Sequence, residues 1–405
     1  MSIQRVQIKG FRSLNDVTWT PGKLNVLIGP NASGKSTLLR ALELLQQSAW
    51  SGALRESVIR QGGMAALVWD GRAPGIEWKV DSVPHFADLD VDFGYELSLA
   101  PLGRSGSLAI VRERLISEIA KSGSQGAQLE LLTRDSQKAL VYDSTQQRLL
   151  PFEAHKVSGP LKLSELILPQ NETLLSLMGP REFLANPWRI LLGSWSIYHD
   201  LQVHQTAACR QAGVVRYEKR LDLNGDNLVP VLHTLSSEDS EFEKSVDQAM
   251  RAAFSDQFEK LLFTPAADGC IQLRVRWKHL KAAQAAASRS DGTLRFLMLL
   301  AILANPSPGE LIAIDEPETG LHPGMFPIIA EFAAAASEKA TVILTTHSPQ
   351  ILDAFPEHAV PTTTVAQWID GETRLSVLDG DELRRWLKSY SLGSLFRSGE
   401  LEGLA

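Results

Sequence analysis

The chain has 405 residues, with 40 Lys and Arg against 47 Asp and Glu, a formal net charge of -7 and a pI near 5.8. Hydrophobic residues make up 44% and charged residues 21%, an ordinary globular composition that excludes the fibrous and disordered classes and allows a large core in two or three lobes. The acidic balance also excludes a protein that coats nucleic acid over its whole surface, since non-specific affinity comes from neutralising phosphates; a local basic patch stays open.

The opening MSIQRVQIKGF alternates like a strand and has neither the apolar core nor the small-residue cleavage site of a signal peptide, so a cytoplasmic protein is expected. Residues 24–28 are an apolar strand, and Leu38, Leu39, Leu42 and Leu45 share one face of a helix expected over Lys35–Gln47. From 64 to about 160 the text turns to short β-like runs (Ala66–Trp69, Tyr95–Ala100, Leu108–Leu115, Leu129–Leu132) broken by Gly, Pro, Ser and Asp, which predicts an antiparallel β lobe. Helical spacing returns at Asn171–Met178, Asn227–Leu235 and Glu241–Leu262. A strand over Ile271–Trp277 is followed by a helix over Leu294–Ala304, strands Leu311–Ile314 and Thr341–Thr345, and an intervening helix near 325–337, a βαβ pattern. The longest apolar run, Phe296–Ala304, is far short of the ~20 residues of a membrane span and reads as a buried helix, so no membrane partner is expected. Cys209 and Cys270 lack zinc or disulfide spacing and are expected as buried thiols.

Gly29, Pro30, Asn31, Ala32, Ser33, Gly34, Lys35, Ser36 and Thr37 fit G-x-x-x-x-G-K-S/T, directly after an apolar strand and directly before an amphipathic helix. In that setting successive backbone N–H groups turn inward around phosphates and the helix adds its positive dipole end. Lys35 is expected to reach the β and γ phosphates, Ser36 to ligate Mg²⁺ and Thr37 to touch the α phosphate. At the end of the strand Leu311–Ile314 come Asp315 and Glu316, the first suited to Mg²⁺ through water and the second to orient and deprotonate an attacking water. His347 closes the next strand, 31 residues after Glu316, and could sense a γ phosphate. Ser290 and Gly292 stand at the start of the helix Leu294–Ala304, where N–H groups can hold a second phosphate; taken alone the segment would be a plain helix cap.

In this order the four segments resemble the ABC-type ATPase heads of the SMC and RecF families: Walker A at 29–37, signature at 290–293, Walker B at 311–316, switch His347. The run Asp315-Glu-Pro-Glu-Thr-Gly-Leu-His-Pro323 is similar to stand-alone ATPases related to OLD and RecF proteins, as are Lys9-Gly-Phe-Arg12-Ser-Leu, Trp195-Ser-Ile-Tyr198, Leu223–Leu228 and Tyr390–Gly399. The resemblance implies an α/β P-loop NTPase fold, an ABC/SMC-type ATPase head with an antiparallel β lobe and a helical lobe. On it the head occupies 1–63 and 271–405, the β lobe 64–170 and the helical lobe 171–270. It implies ATP and Mg²⁺ as ligands, Arg12 as a nucleotide contact, and a homodimer when ATP is bound, with Lys35 and Glu316 of one copy facing Ser290 and Gly292 of the other. Two features depart from the pattern. The signature reads Ser-Asp-Gly-Thr where transporter subunits have Leu-Ser-Gly-Gly-Gln, and the Q-loop glutamine is either Gln61 or Gln170.

The function expected from this likeness is ATP hydrolysis in DNA repair, recombination or defence against phage, with DNA and a separate nuclease or effector chain as the partners it admits. Direct support for DNA is Arg274, Arg276 and Lys278 alternating with Leu273, Val275 and Trp277, a pattern that equally describes a solvated strand face. The competing functions are a transporter's nucleotide-binding subunit, opposed by the signature wording, an OLD-type nuclease, and a module that holds ATP without turnover. For the nuclease only Asp379 and Asp381 stand as a metal-like pair, and they read better as a turn and cap.

Overall fold

A computed structural model describes residues 2–83, 91–103, 106–119, 127–152, 168–178 and 184–403; the parts of the expected β lobe at 84–90, 104–105, 120–126 and 153–167 lie outside them. The chain divides into two compact units, Met1–Gly22 with Pro30–Trp195 and Ala366–Val377, and Lys23–Gly29 with Ser196–Val365 and Leu378–Ala405.

The first unit begins with β1 (Ser2–Phe11) and β2 (Leu14–Trp19); β3 (Leu24–Ile28) belongs to the second. It continues with α1 (Lys35–Gln47), α2 (Ala53–Arg60) and α3 (Met64–Leu67), then β4 (Ile76–Val83), β5 (Val91–Leu102), β6 (Ser107–Ile119), β7 (Ala127–Asp135), β8 (Lys138–Asp143) and β9 (Arg148–Pro151). These strands form an antiparallel sheet in the order β2-β1-β4-β5-β6-β7-β8-β9. Alternation drives it: in β4 Ile76, Trp78 and Val80 point inward while Glu77, Lys79 and Asp81 face solvent. Of the run at 66–69, expected as a strand, Ala66 and Leu67 instead end α3 and Val68 makes a single bridge to Phe11. Beyond β9 come α4 (Leu174–Leu177), only four residues of the helix expected at Asn171–Met178, and α5 (Asn186–Gly193). The fully buried Glu113 of β6 ties α4 down by accepting from the Leu174 and Leu175 N–H groups and from Tyr95 Oη.

In the second unit β10 (Ser196–Tyr198) and β11 (Gly213–Val214) precede α6 (Leu228–Glu238) and α7 (Ser240–Phe254). The helix expected to run to Leu262 stops at Phe254, because Ser255 takes a φ of 59° and the chain turns into β12 (Phe258–Pro265). β12 pairs antiparallel with β13 (Cys270–Trp277), whose Leu273 and Val275 enter the core while Arg274 and Arg276 take the other face; β14 (Gln284–Ala285) adds to its edge. Cys209 is buried as expected, whereas Cys270 at the head of β13 is partly exposed.

After α8 (Asp291–Leu303) come β15 (Leu311–Asp315), α9 (Phe326–Ser337), β16 (Thr341–Thr345), α10 (Pro349–Leu352) and β17 (Thr362–Ile369). β17 carries the chain back to the first unit, which receives its end and β18 (Glu372–Val377); α11 (Gly380–Trp386), α12 (Leu392–Ser398) and α13 (Glu400–Gly403) close the second unit. Strands β10, β15, β16, β3 and β17 lie side by side in that order, all parallel. Every residue of β3 and β16 is buried, and Asn25 satisfies its amide by donating to Val342 O at 3.0 Å. α8 is apolar on nearly all sides, with ten residues buried from Thr293 to Leu303, as its run of leucines requires. Each such Leu or Ile contributes about 1.5–3 kcal/mol by leaving water, which fixes the sheet edge where the candidate site is built. Among the described residues no helix is long and apolar enough to cross a membrane.

Candidate functional site

The parallel register puts the carboxyl ends of β10, β15, β16 and β3 on one edge of the sheet, the edge where ligands bind in open α/β folds. β3 ends at Ile28, and Gly29 (φ 142°) turns the chain into the loop 30–34.

The loop is built for close approach to a ligand. Ala32 and Gly34 have φ of 65° and 102°, so the backbone reverses its curvature twice within three residues. A Cβ on Gly34 would come within 2.0 Å of Thr373 Oγ1 and 2.9 Å of Thr373 Cβ, atoms of a stiff β-branched side chain on β18 that is itself held by a bond to Ser13 Oγ. Lys35 is buried and its Nζ donates to Pro30 O at 3.0 Å, arching over the loop. Ser33 Oγ is buried with no hydrogen-bond partner among the described residues. Such a cradle, with an orphaned hydroxyl and the N-terminus of the thirteen-residue α1, fits a polyphosphate. Arg12, at φ 47°, donates through Nη2 to Gln61 Oε1 at 3.0 Å, and burial and the neighbouring Arg40 both lower its guanidinium pKa. This contact gives Gln61, of the two Q-loop candidates, a partner among the expected nucleotide-contacting residues, while the Gln170 backbone carbonyl accepts from Ile110 N in the β lobe.

Within the second unit three consecutive residues at the end of β16 each hold one acid at the end of β15. Thr345 Oγ1 donates to Asp315 Oδ1, Thr346 Oγ1 to Glu318 Oε1, and His347 Nδ1 meets Glu316 Oε1 at 3.0 Å. Glu316 sits at φ 49°, unusual for a glutamate, pinned by its N–H to Thr345 O at 3.2 Å and Thr345 Oγ1 at 3.1 Å. A left-handed side-chain-bearing residue costs on the order of 1–3 kcal/mol and persists where the surroundings dictate it, which is common at functional sites. Glu316 and His347 keep 37% and 51% of their side-chain surface, so both can still meet a ligand.

Sequence reasoning left several neighbours out. His199, directly after β10, brings Nδ1 to 3.8 Å from Asp315 Oδ2. Arg295 of α8 has its guanidinium pKa lowered by burial against the pull of Asp200, Glu318 and Glu316. The pairing of β10 with β15 brings His199 to Asp315, and no local spacing in the sequence marks either His199 or Arg295.

Glu318 is 8% exposed with Oε2 unpartnered among the described residues, and burial raises its carboxyl pKa while the Thr346 bond opposes the rise. The folded state therefore holds this proton more tightly than the unfolded one. Its contribution to stability is complete below the ordinary carboxylate range and is lost as pH rises through the raised value. Glu318→Gln keeps the acceptor for Thr346 and removes the charge, so it is expected to melt about 2–4 °C above the parent at pH 8, the gap closing by pH 4; equal melting shifts at both pH values would contradict this.

The signature segment also takes shape within the second unit. Ser290 Oγ caps α8 by accepting from Thr293 N at 3.3 Å, and a Cβ on Gly292 would lie 2.6 Å from Gly320 O, so only glycine lets the helix start approach the turn after Glu318. Ser290 and Asp291 are exposed, leaving this helix end open to solvent. Asp379 caps α11, its Oδ1 accepting from Asp381 N and Glu382 N at 2.9 and 2.8 Å, and Asp381 pairs with Arg384, which is the turn and cap expected rather than a metal pair.

The fold and the motif order define an ATPase head of the RecF/SMC/OLD type. A family model described as an AAA domain, putative AbiEii toxin of a type IV toxin–antitoxin system, matches residues 24–353, and the chain belongs to this family. It is similar to the OLD nuclease of Thermus scotoductus, 42% identical over 48 residues, 12% of this chain and 9% of that protein. It is also similar to the DNA replication and repair protein RecF of Pseudomonas syringae pv. syringae, 30% identical over 145 residues, 35% of this chain and 34% of the relative. The chain thus spans about a third of the RecF protein and under a tenth of the OLD nuclease. Among solved structures, an SMC head bound to the C-winged helix domain of ScpA aligns over 95% of this chain and all of its own at a TM-score of 0.56 and 14% identity. A Pyrococcus furiosus SMC head domain with an extended coiled coil, bound to the C-terminal domain of ScpA, aligns over 96% of this chain and 98% of its own at 0.53 and 13%. At these identities the two establish the fold.

Proposed function

We propose that the chain binds ATP with Mg²⁺ and hydrolyses it at composite sites formed when two copies meet face to face. The observation that carries this reading is the strained Glu316, held against His347 and Thr345 on the sheet edge from which β3 launches the phosphate loop. In it the loop 29–34 cradles the phosphates, Lys35 neutralises the β and γ groups, Thr37 touches the α group, and Arg12 contacts the nucleotide. Ser36 Oγ and Asp315 are the residues that would hold Mg²⁺, which when bound would neutralise charge on the phosphates. Glu316 accepts the proton of the attacking water, and His347 gives up its bond to Glu316 to contact the γ phosphate. Ser290 and Gly292 of the second copy close over the nucleotide with the open end of α8, so that ATP holds the dimer and hydrolysis releases it.

The biological setting we propose is DNA repair, recombination or defence against phage, in line with the RecF and OLD likenesses and the toxin–antitoxin wording of the family. Arg274 and Arg276 on the outer face of β13 offer charge for a DNA backbone. Nuclease chemistry, where it is needed, is assigned to a separate chain. The test is phosphate release by the purified protein with Mg²⁺, with and without linear double-stranded DNA. Mg²⁺-dependent release that DNA accelerates is expected; no release at any protein concentration, with or without DNA, would replace this reading with an ATP-holding regulatory module.

A further inference from the structure

Arg210 stands outside every motif, yet its side chain is 6% exposed and each of its three guanidinium nitrogens donates to a partner. Nε donates to Val203 O at 2.9 Å and His204 O at 3.1 Å, anchoring the guanidinium in the loop that follows β10. Nη1 donates to Ala287 O at 3.1 Å and Arg289 O at 2.7 Å, and Nη2 pairs with the Asp291 carboxylate. The second set of partners brackets Ser290, so one planar cation fixes the backbone on both sides of the residue that caps α8. We propose that Arg210 is the positioning residue of the signature segment and acts in trans, on the nucleotide held by the second copy; this rests on the composite-site reading above.

Two physical effects follow from the geometry. The fork of a buried guanidinium presents several donors in fixed directions, and a lysine ammonium cannot reproduce them. The Asp291 carboxylate lies in the first turn of α8, where it suits the helix dipole but would repel an incoming phosphate; pairing with Arg210 offsets that charge. Loss of Arg210 therefore frees the 286–291 segment and leaves an uncompensated acid at the helix end.

The test separates the two ends of the chain by mixing variants. Arg210→Ala alone is expected to bind ATP within about twofold of the parent, since its own phosphate loop is intact, while turnover falls at least about tenfold. Mixed one to one with Lys35→Ala, which lacks the phosphate-loop lysine but has an intact signature, it should recover about a quarter of the parent rate, because half the random dimers are mixed and each has one working site of two. Ser290→Arg with Lys35→Ala is the control for composite sites. Recovery in both mixtures supports the proposal. Recovery with Ser290→Arg but not with Arg210→Ala overturns it and leaves the composite site standing; recovery in neither overturns both. Should Arg210→Ala fail to fold, Arg210→Lys takes its place with the same expected loss and recovery, and parental turnover by the lysine variant overturns the proposal.

Discussion

Glu316→Gln is expected to lower ATP turnover per chain by about a hundredfold or more while leaving ATP bound, because a positioned general base contributes roughly 10²–10⁴ in rate. The amide keeps the shape of the side chain and can still accept from Thr319 and face His347. It cannot take a proton from water. The pinned backbone at φ 49° depends on Thr345 and not on the carboxylate, so the fold around the substitution should persist. Trapped in the ATP state, this variant should show twice the parent's mass by light scattering with ATP and Mg²⁺, and the parental mass with ADP. Full turnover by Glu316→Gln would move the base to another group on the same edge, such as Glu318 or His199.

Lys35→Ala is expected to weaken ATP binding by about a hundredfold, as a charge-assisted bond to phosphate is worth ~1.5–3 kcal/mol and the amine faces two phosphate groups. It also removes the bond to Pro30 O that arches over the loop without nucleotide, so part of the loss comes from a less ordered cradle. Gly34→Ala separates the two effects. It keeps the lysine but forces a Cβ against Thr373 at a φ of 102°, and it should also lose affinity, by about tenfold or more. Isothermal titration with a slowly hydrolysed ATP analogue reads both variants; parental affinity in Lys35→Ala would place the nucleotide elsewhere.

What could be read from the sequence was what depends on contiguous residues. The proposed phosphate loop occupies nine successive positions, Asp315 and Glu316 stand at the end of a buried strand, and the Ser290 cap lies three residues from the N–H it receives. The large antiparallel sheet was visible through its alternation, in β4 above all. The end of α7 was not, because Phe254, Phe258 and Leu262 continue a spacing of four that suits a helix; only cross-strand pairing of Leu261 with Val275 makes 258–265 a strand. Likewise the grip of Thr346 on Glu318, the pressure of Thr373 on Gly34 and the hold of Arg210 on the signature join residues far apart in sequence. Propensity does not encode such contacts.

The central claim is that an active site needs two copies. Its most direct test is the ATPase rate per chain measured across protein concentration. The composite-site account predicts a rate that climbs with concentration and levels off once dimers predominate; a rate per chain that stays flat while the protein remains monomeric with ATP would contradict it.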